Sequence, residues 1–208
     1  MAILAACSDK DPGTGSIDGT IEVPSHGYSA AIEWTKAVAY AEDGRLLVFL
    51  TGAAGASCAG IADYLGPNTG ALSKERILEG GSCTMMLAVD DWTGDSTVSW
   101  SPSETEGYNP GLSSVLRCEL GDGEWVLETR AEEYEDYYWS GDVWLGSPTL
   151  FSWSISGDSD GIDVSLDLEK LDGNFPYSSD LARYPAAGEI SGEMSASWCP
   201  ELASATAL

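Results

Sequence analysis

Apolar and polar residues alternate most cleanly in LFSWSISGDSDGIDVSLDLEKL, residues 150–171. Phe151, Trp153 and Ile155 fall on one side of the first arm. Ile162, Val164, Leu166 and Leu168 fall on one side of the second, which sends Asp163, Ser165, Asp167 and Glu169 to solvent. A period of two is the signature of a half-buried strand, and the glycine-rich stretch 157–161 predicts the hairpin turn between the arms.

The same pattern recurs along the chain. Residues 17–23 read as a first strand stopped by Pro24, and 24–28 as a turn. Residues 35–40 and 45–51 flank Asp43-Gly44, a pair suited to the positive φ angles of a tight hairpin. The run Leu46–Leu50, LLVFL, is apolar throughout, so this strand is expected to be covered on both faces. Strands follow at 83–90 and 96–100, at 113–120 and 124–130 around Gly121-Asp122-Gly123, at 137–145, and finally at 189–199. Residues 101–111 read as loop. Ile17-Asp18-Gly19 and Ile190-Ser191-Gly192 are similar triplets in the first and last strands, too short a likeness to make a repeat, though first and last strands often pair in closed β-folds.

Residues 52–81 break the alternation with glycine clusters, a proline and two short helical candidates, 60–65 and 73–78. A connection this long is expected to be functional or tied down. The pattern therefore predicts an all-β fold, an antiparallel sandwich or barrel of about nine or ten strands, with minor helix in the 52–81 loop. Residues 1–16 are assigned to a signal remnant and tether, 17–200 to a single β domain, and 201–208 to a disordered tail. With 208 residues the chain is long enough to bury a core without a cofactor. The 24 glycines and 8 tryptophans suit a strand-rich fold with many tight turns.

Charge narrows the partners. Acidic residues number 34 against 9 basic ones, a formal net charge of −25. Such a field repels nucleic acid and anionic head groups and attracts cations and cationic surfaces. The acids are spread along the chain, as expected for solubility in a salty or extracellular medium.

The N-terminus supplies an address. Leu4-Ala5-Ala6-Cys7 resembles the lipobox of bacterial lipoproteins, in which an aliphatic residue and two small residues precede the cysteine that receives diacylglycerol. The resemblance implies lipidation of Cys7, attachment to a membrane through that lipid, and removal of Met1–Ala6. Ser8 in the next position resembles an outer-membrane sorting signal. The polar stretch 8–16 reads as a tether. Only six residues precede Cys7 and none is basic, whereas a leader carries a basic region and an apolar region of about 7–15 residues. Met1–Ala6 is therefore expected to be the end of a longer leader; the alternative is a short apolar strand with Cys7 buried in it. Beyond this motif the chain resembles secreted bacterial β-domains, with an LVFLT-type strand, a cysteine loop and a terminal strand ending in cysteine. That likeness implies architecture and a secreted setting only.

The chain has five cysteines: Cys7, Cys58, Cys83, Cys118 and Cys199. Setting Cys7 aside for lipid leaves an even number, and two disulfides in an oxidising compartment are expected. The preferred pairing is Cys58–Cys83, closing the long loop, with Cys118–Cys199 tying a middle strand to the last. Crossed pairings such as Cys58–Cys199 stay open. No cysteine spacing resembles a metal clip, and His26 is the single histidine.

The richest candidate for binding is AEEYEDYYWSGDVW, residues 131–144. Tyr134, Tyr137, Tyr138, Trp139 and Trp144 lie among Glu132, Glu133, Glu135 and Asp136. Exposed rings stack on sugars, carboxylates accept hydroxyl protons, and the same composition suits a cationic protein partner. The alternative puts the alternate rings in the core. No catalytic residue is assigned. A glycosidase carboxylate pair lacks any local motif; His26 has no nucleophile elbow beside it; no phosphate loop or basic patch is visible. Asp158-Ser159-Asp160-Gly161-Ile162-Asp163 resembles part of a calcium loop without the distal Glu, so no cofactor is expected beyond a weak structural calcium.

The reading is a non-enzymatic, lipid-anchored cell-envelope protein with a binding or structural role. The alternatives are a carbohydrate-binding module using the 134–144 face, and a hydrolase using surface carboxylates.

Overall fold

The computed structural model describes residues 13–24, 27–65, 83–94, 96–100, 112–120, 123–130, 150–158, 161–174 and 183–203. In chain order the elements are β1 (Gly15–Val23), β2 (Tyr28–Trp34), β3 (Lys36–Glu42), β4 (Arg45–Thr51), α1 (Cys58–Leu65), β5 (Cys83–Val89) and β6 (Ser96–Trp100). There follow β7 (Leu112–Leu120), β8 (Gly123–Arg130), β9 (Leu150–Asp158), β10 (Gly161–Asn174), β11 (Arg183–Trp198) and a 3-10 turn, Pro200–Leu202. The fold is all-β, as the alternation predicts. One sheet runs in the order β2-β1-β11-β3-β4-β5-β7-β8-β10-β9-β6 and curls into a half-barrel. Neighbours are antiparallel except β11 and β3, which run parallel at Ser197–Val38 and Trp198–Ala39.

The hairpins form where their turn residues permit. Asp43 (φ 50°) and Gly44 (φ 80°) both adopt positive φ between β3 and β4, the twist that a two-residue hairpin loop requires. In the β9–β10 hairpin Trp153 opposes Leu166 and Ile155 opposes Val164. Trp153, Ile155, Ile162 and Val164 are buried, and Asp163 is exposed. Strand β2 was not foreseen, because YSAAIEW mixes small, acidic and aromatic residues; its Ile32 and Trp34 nonetheless share one buried face.

The first and last strands pair, and their similar triplets meet. Ile17 opposes Gly192, Gly19 opposes Ile190, and Ile21 opposes Gly188. Each isoleucine is buried against a position with no side chain, so two tightly apposed backbones still fill the core. Gly192 has φ 144°, and a Cβ there would lie 2.4 Å from the carbonyl oxygen of Ser16, so no other residue fits.

Two apolar layers sandwich the middle of the sheet. The inner core joins Ile17, Ile32, Trp34, Leu46, Val48, Leu87, Leu116, Ile155 and Ile190, among others. Trp34 is fully buried there, and its indole Nε1 donates to the carbonyl of Cys83 at 3.1 Å. The outer core lies on the opposite face of β3, β4 and β5, where Val38, Leu47, Phe49, Met86 and Ala88 meet Ile61, Ala62 and Leu65 of α1 and Leu202. LLVFL is thus buried on both faces, as expected, and α1 is the cover.

The helix forms because Cys58, Ile61, Ala62 and Leu65 share one face at helical spacing, and Ser57 Oγ accepts the Gly60 amide at its start. Lys36 Nζ donates to the carbonyls of Ala54 and Ala56 and fixes the lead-in to the helix. The helical candidate at 73–78, the loop at 101–111 and the strand at 137–145 lie outside the described residues. The packed fold takes in residues at both margins of the 17–200 span: Gly13 donates its amide to Ala37, and Leu202 is fully buried.

Two disulfides are present, Cys58–Cys199 and Cys83–Cys118. Both partnerships differ from the preferred Cys58–Cys83 and Cys118–Cys199. The reason is the two-faced sheet. Cys83 and Cys118 sit directly opposite each other on β5 and β7, inside the inner core. Cys58 and Cys199 belong to the outer core, on the other side of β4 and β5. A loop-closing bond between Cys58 and Cys83 would have to pass through the sheet. No helix among the described residues is long and apolar enough to cross a membrane.

Candidate functional site: a face of hydroxyls and carboxylates

In six strands, β2-β1-β11 and β10-β9-β6, the described side chains leave one face open, and the register carries a pattern across it. Opposed residues share a face, so cross-strand rows follow from the pairings. One row runs Thr97, Ser156, Asp163, Ser195. The next runs Ser154, Ser165, Glu193, Ser16. A third runs Ser191, Asp18, Glu33, and a fourth Glu189, Thr20, Ala31. All are exposed or half-buried. Among the described side chains of these rows, every one but Ala31 is a hydroxyl or a carboxylate, and none is basic. Rows are spaced by about 6.8 Å along a strand and neighbours by about 4.8 Å across it.

Some groups are already engaged. Ser195 Oγ donates to Asp163 Oδ1 at 3.2 Å, and Ser16 Oγ donates to Asp18 Oδ2 at 3.0 Å. These bonds orient the carboxylates, whose other lone pairs face outward. A groove of about 510 Å³ runs over the first two rows, beside Thr14 and Gly15. Asp18 and Glu33 stand directly opposite each other on β1 and β2. Like charges in that position destabilise a sheet.

Such a surface offers acceptors in a fixed, shallow lattice. It suits a ligand rich in donors or positive charge and repels an anion.

Of the residues singled out from sequence, Cys58, Cys83, Cys118 and Cys199 form the two disulfides. Cys7, His26, Tyr134, Tyr137, Tyr138, Trp139 and Trp144 lie outside the described residues. Asp163, from the acidic hairpin segment, belongs to the face. Ser165 reads as outward from the same hairpin; the other members lie on β1, β2, β6, β9 and β11, and sequence reading did not connect them. The available signal was alternation, since IDGTIEV and EISGEMSAS place Asp, Thr, Glu and Ser at every second position. No family model, no curated protein and no solved structure matches this chain.

Proposed function

We propose that this is a non-enzymatic, lipid-anchored cell-envelope protein, and that the hydroxyl and carboxylate face is its contact surface for a cationic partner. The observation that carries the reading is that face, with Asp18 set against Glu33 at a cost to the sheet. The lipobox-like Leu4-Ala5-Ala6-Cys7 supports the address, and the paired cysteines suit an oxidising compartment. Gly13, held to Ala37 by its amide, is six residues from Cys7, so a lipid on Cys7 would hold the domain within about 20 Å of the bilayer by the reach of an extended chain. The groove beside Thr14 would then lie close to the anchor.

The test is binding of a lysine-rich peptide to the full-length protein, with neutral glycans in parallel. Asp163→Lys with Glu193→Lys removes acids from the face. Glu42→Lys with Asp63→Lys changes the net charge equally at exposed sites off it. The first pair is expected to abolish binding and the second to weaken it only slightly. Equal losses would reduce the attraction to net charge and sink the face. Retention of neutral glycans by both variants would favour the carbohydrate reading of residues 134–144. Intact mass of protein expressed with its upstream DNA tests the lipid: a mature chain without diacylglycerol on Cys7 overturns the anchor.

A further inference from the structure

The Cys58–Cys199 bond has an unusual neighbour. Cys58 is the first residue of α1, and Cys199 immediately precedes the turn Pro200–Leu202. Glu201, in that turn, places Oε2 2.8 Å from Cys58 Sγ and 3.7 Å from Cys199 Sγ. Both cysteines are buried, while Glu201 is half-buried. A cystine sulfur carries no proton, so the carboxylate gains no hydrogen bond from either sulfur while the disulfide is closed. An acid held against a buried disulfide contributes little to stability in that state. It becomes useful once the bond opens.

We propose that Cys58, Cys199 and Glu201 form a redox-gated site for one divalent cation of the zinc class: closed as the disulfide, metal-binding as the dithiol. The geometry supports three protein ligands. The two sulfurs and the carboxylate oxygen lie within 4.8 Å of one another. A tetrahedral zinc with Zn–S of about 2.3 Å and Zn–O of about 2.0–2.2 Å needs about 3.7 Å between sulfurs and about 3.5 Å from each sulfur to the oxygen. The observed 2.8 and 3.7 Å bracket the second figure. The first is reached by rotating two side chains apart, across a Cα–Cα separation of 5.7 Å. Glu201 opens to solvent, so the fourth position falls to water.

Charge selects the ion. Two thiolates and a carboxylate carry −3, which a divalent cation reduces to −1 and a monovalent one only to −2. Soft sulfur ligands disfavour calcium and magnesium.

The chemistry balances with one co-reactant. An external dithiol attacks the cystine, the S–S bond breaks, and two electrons and two protons pass to Cys58 and Cys199 as the dithiol becomes its own disulfide. Metal binding then releases the two thiol protons. Oxidation reverses the sequence and expels the ion. This inference is independent of the lipid anchor and of the polar face.

The experiment is anaerobic titration of the full-length protein with cobalt(II), as a spectroscopic stand-in for zinc, after reduction by a phosphine that is then removed. The reduced protein is expected to give a near-ultraviolet thiolate-to-cobalt band at one ion per chain, bleached by one equivalent of zinc. The oxidised protein should give none. Cys58→Ser with Cys199→Ser, which keeps Cys7, Cys83 and Cys118, should give none either. Glu201→Gln should weaken binding by at least about tenfold, since even a supporting group in a metal site is worth roughly 10–100-fold. Four results would each overturn the site: no band from the reduced protein, folded or not; a band from the oxidised protein; a band surviving in the double-serine variant; or unchanged affinity in Glu201→Gln.

Discussion

The two halves of the sheet solve the same problem differently. In β3, β4 and β5 nearly every residue is apolar and both faces are buried, because α1 lies over the outside. In β1, β10 and β11 only every second residue is apolar, and the outer face is left to hydroxyls and acids. The backbone geometry is the same. What differs is whether a second layer exists, and the alternation of the sequence records that directly. The covered half spends its residues on packing. The open half can vary its outer residues with little effect on the core, which is where a surface for recognition can be built.

That contrast can be broken most severely by unpinning the cover. Replacing Cys58 and Cys199 by Ala releases a 141-residue separation, and the chain-entropy relation gives a loss of about 5 kcal/mol. Replacing Cys83 and Cys118 releases a separation of 35 and should cost about 4 kcal/mol. Denaturant midpoints of the two double variants test this ranking; a smaller loss for the first pair would mean that α1 stays seated without its staple. Next comes Trp34→Ala in the inner core, with an expected loss of about 3–5 kcal/mol, since it empties a fully buried site and removes the bond to the Cys83 carbonyl.

Substitutions on the open face should be nearly silent or favourable. Asp18→Asn removes the repulsion from Glu33 and should stabilise the fold by about 0.2–1 kcal/mol in thermal melts. A clear loss there would show that the acid serves folding and not recognition.

The smallest effect expected is one of pH. Burial, reinforced by the charges of Glu42 and Asp43, holds the Tyr40 phenol above its ordinary range. The folded chain therefore keeps this phenol neutral after the unfolded chain has ionised its own. The contribution is intact below about pH 10 and is lost as pH rises through the native value. Tyr40→Phe should flatten the decline in melting temperature above about pH 10. An unchanged slope would remove Tyr40 from the alkaline transition.

The inner face of nearly every strand was legible in the sequence, because burial on one side forces a period of two. The β3–β4 turn was legible in Asp43-Gly44, and the double burial of β4 in LLVFL. Strand β2 was hidden because its alanines carry no clear preference and only Ile32 and Trp34 mark its inner side. The disulfide partners were hidden for a different reason: which face of a sheet a cysteine joins depends on where α1 docks, and no local pattern encodes that. The polar face was half visible. Asp163 and Ser165 read as outward from their own hairpin. That Glu193 and Ser16 continue the same row is a matter of long-range register, and Ser16 and Glu193 are far apart in the chain.

Strand β11 has a consequence for how the protein is made. It lies between β1 and β10, touches β3 at its end, and delivers Cys199 to Cys58. Yet it is the last of the described strands to be synthesised. Until it emerges, β1 has no partner for its inner edge and β10 lacks its longest pairing, so little of the half-barrel can close early. The β1 edge and the β10–β11 seam must wait for β11, and contacts between such distant segments form slowly. Until then those edges offer unpaired backbone groups to any other strand, so the wait for β11 is also the interval in which the protein is most open to mispairing.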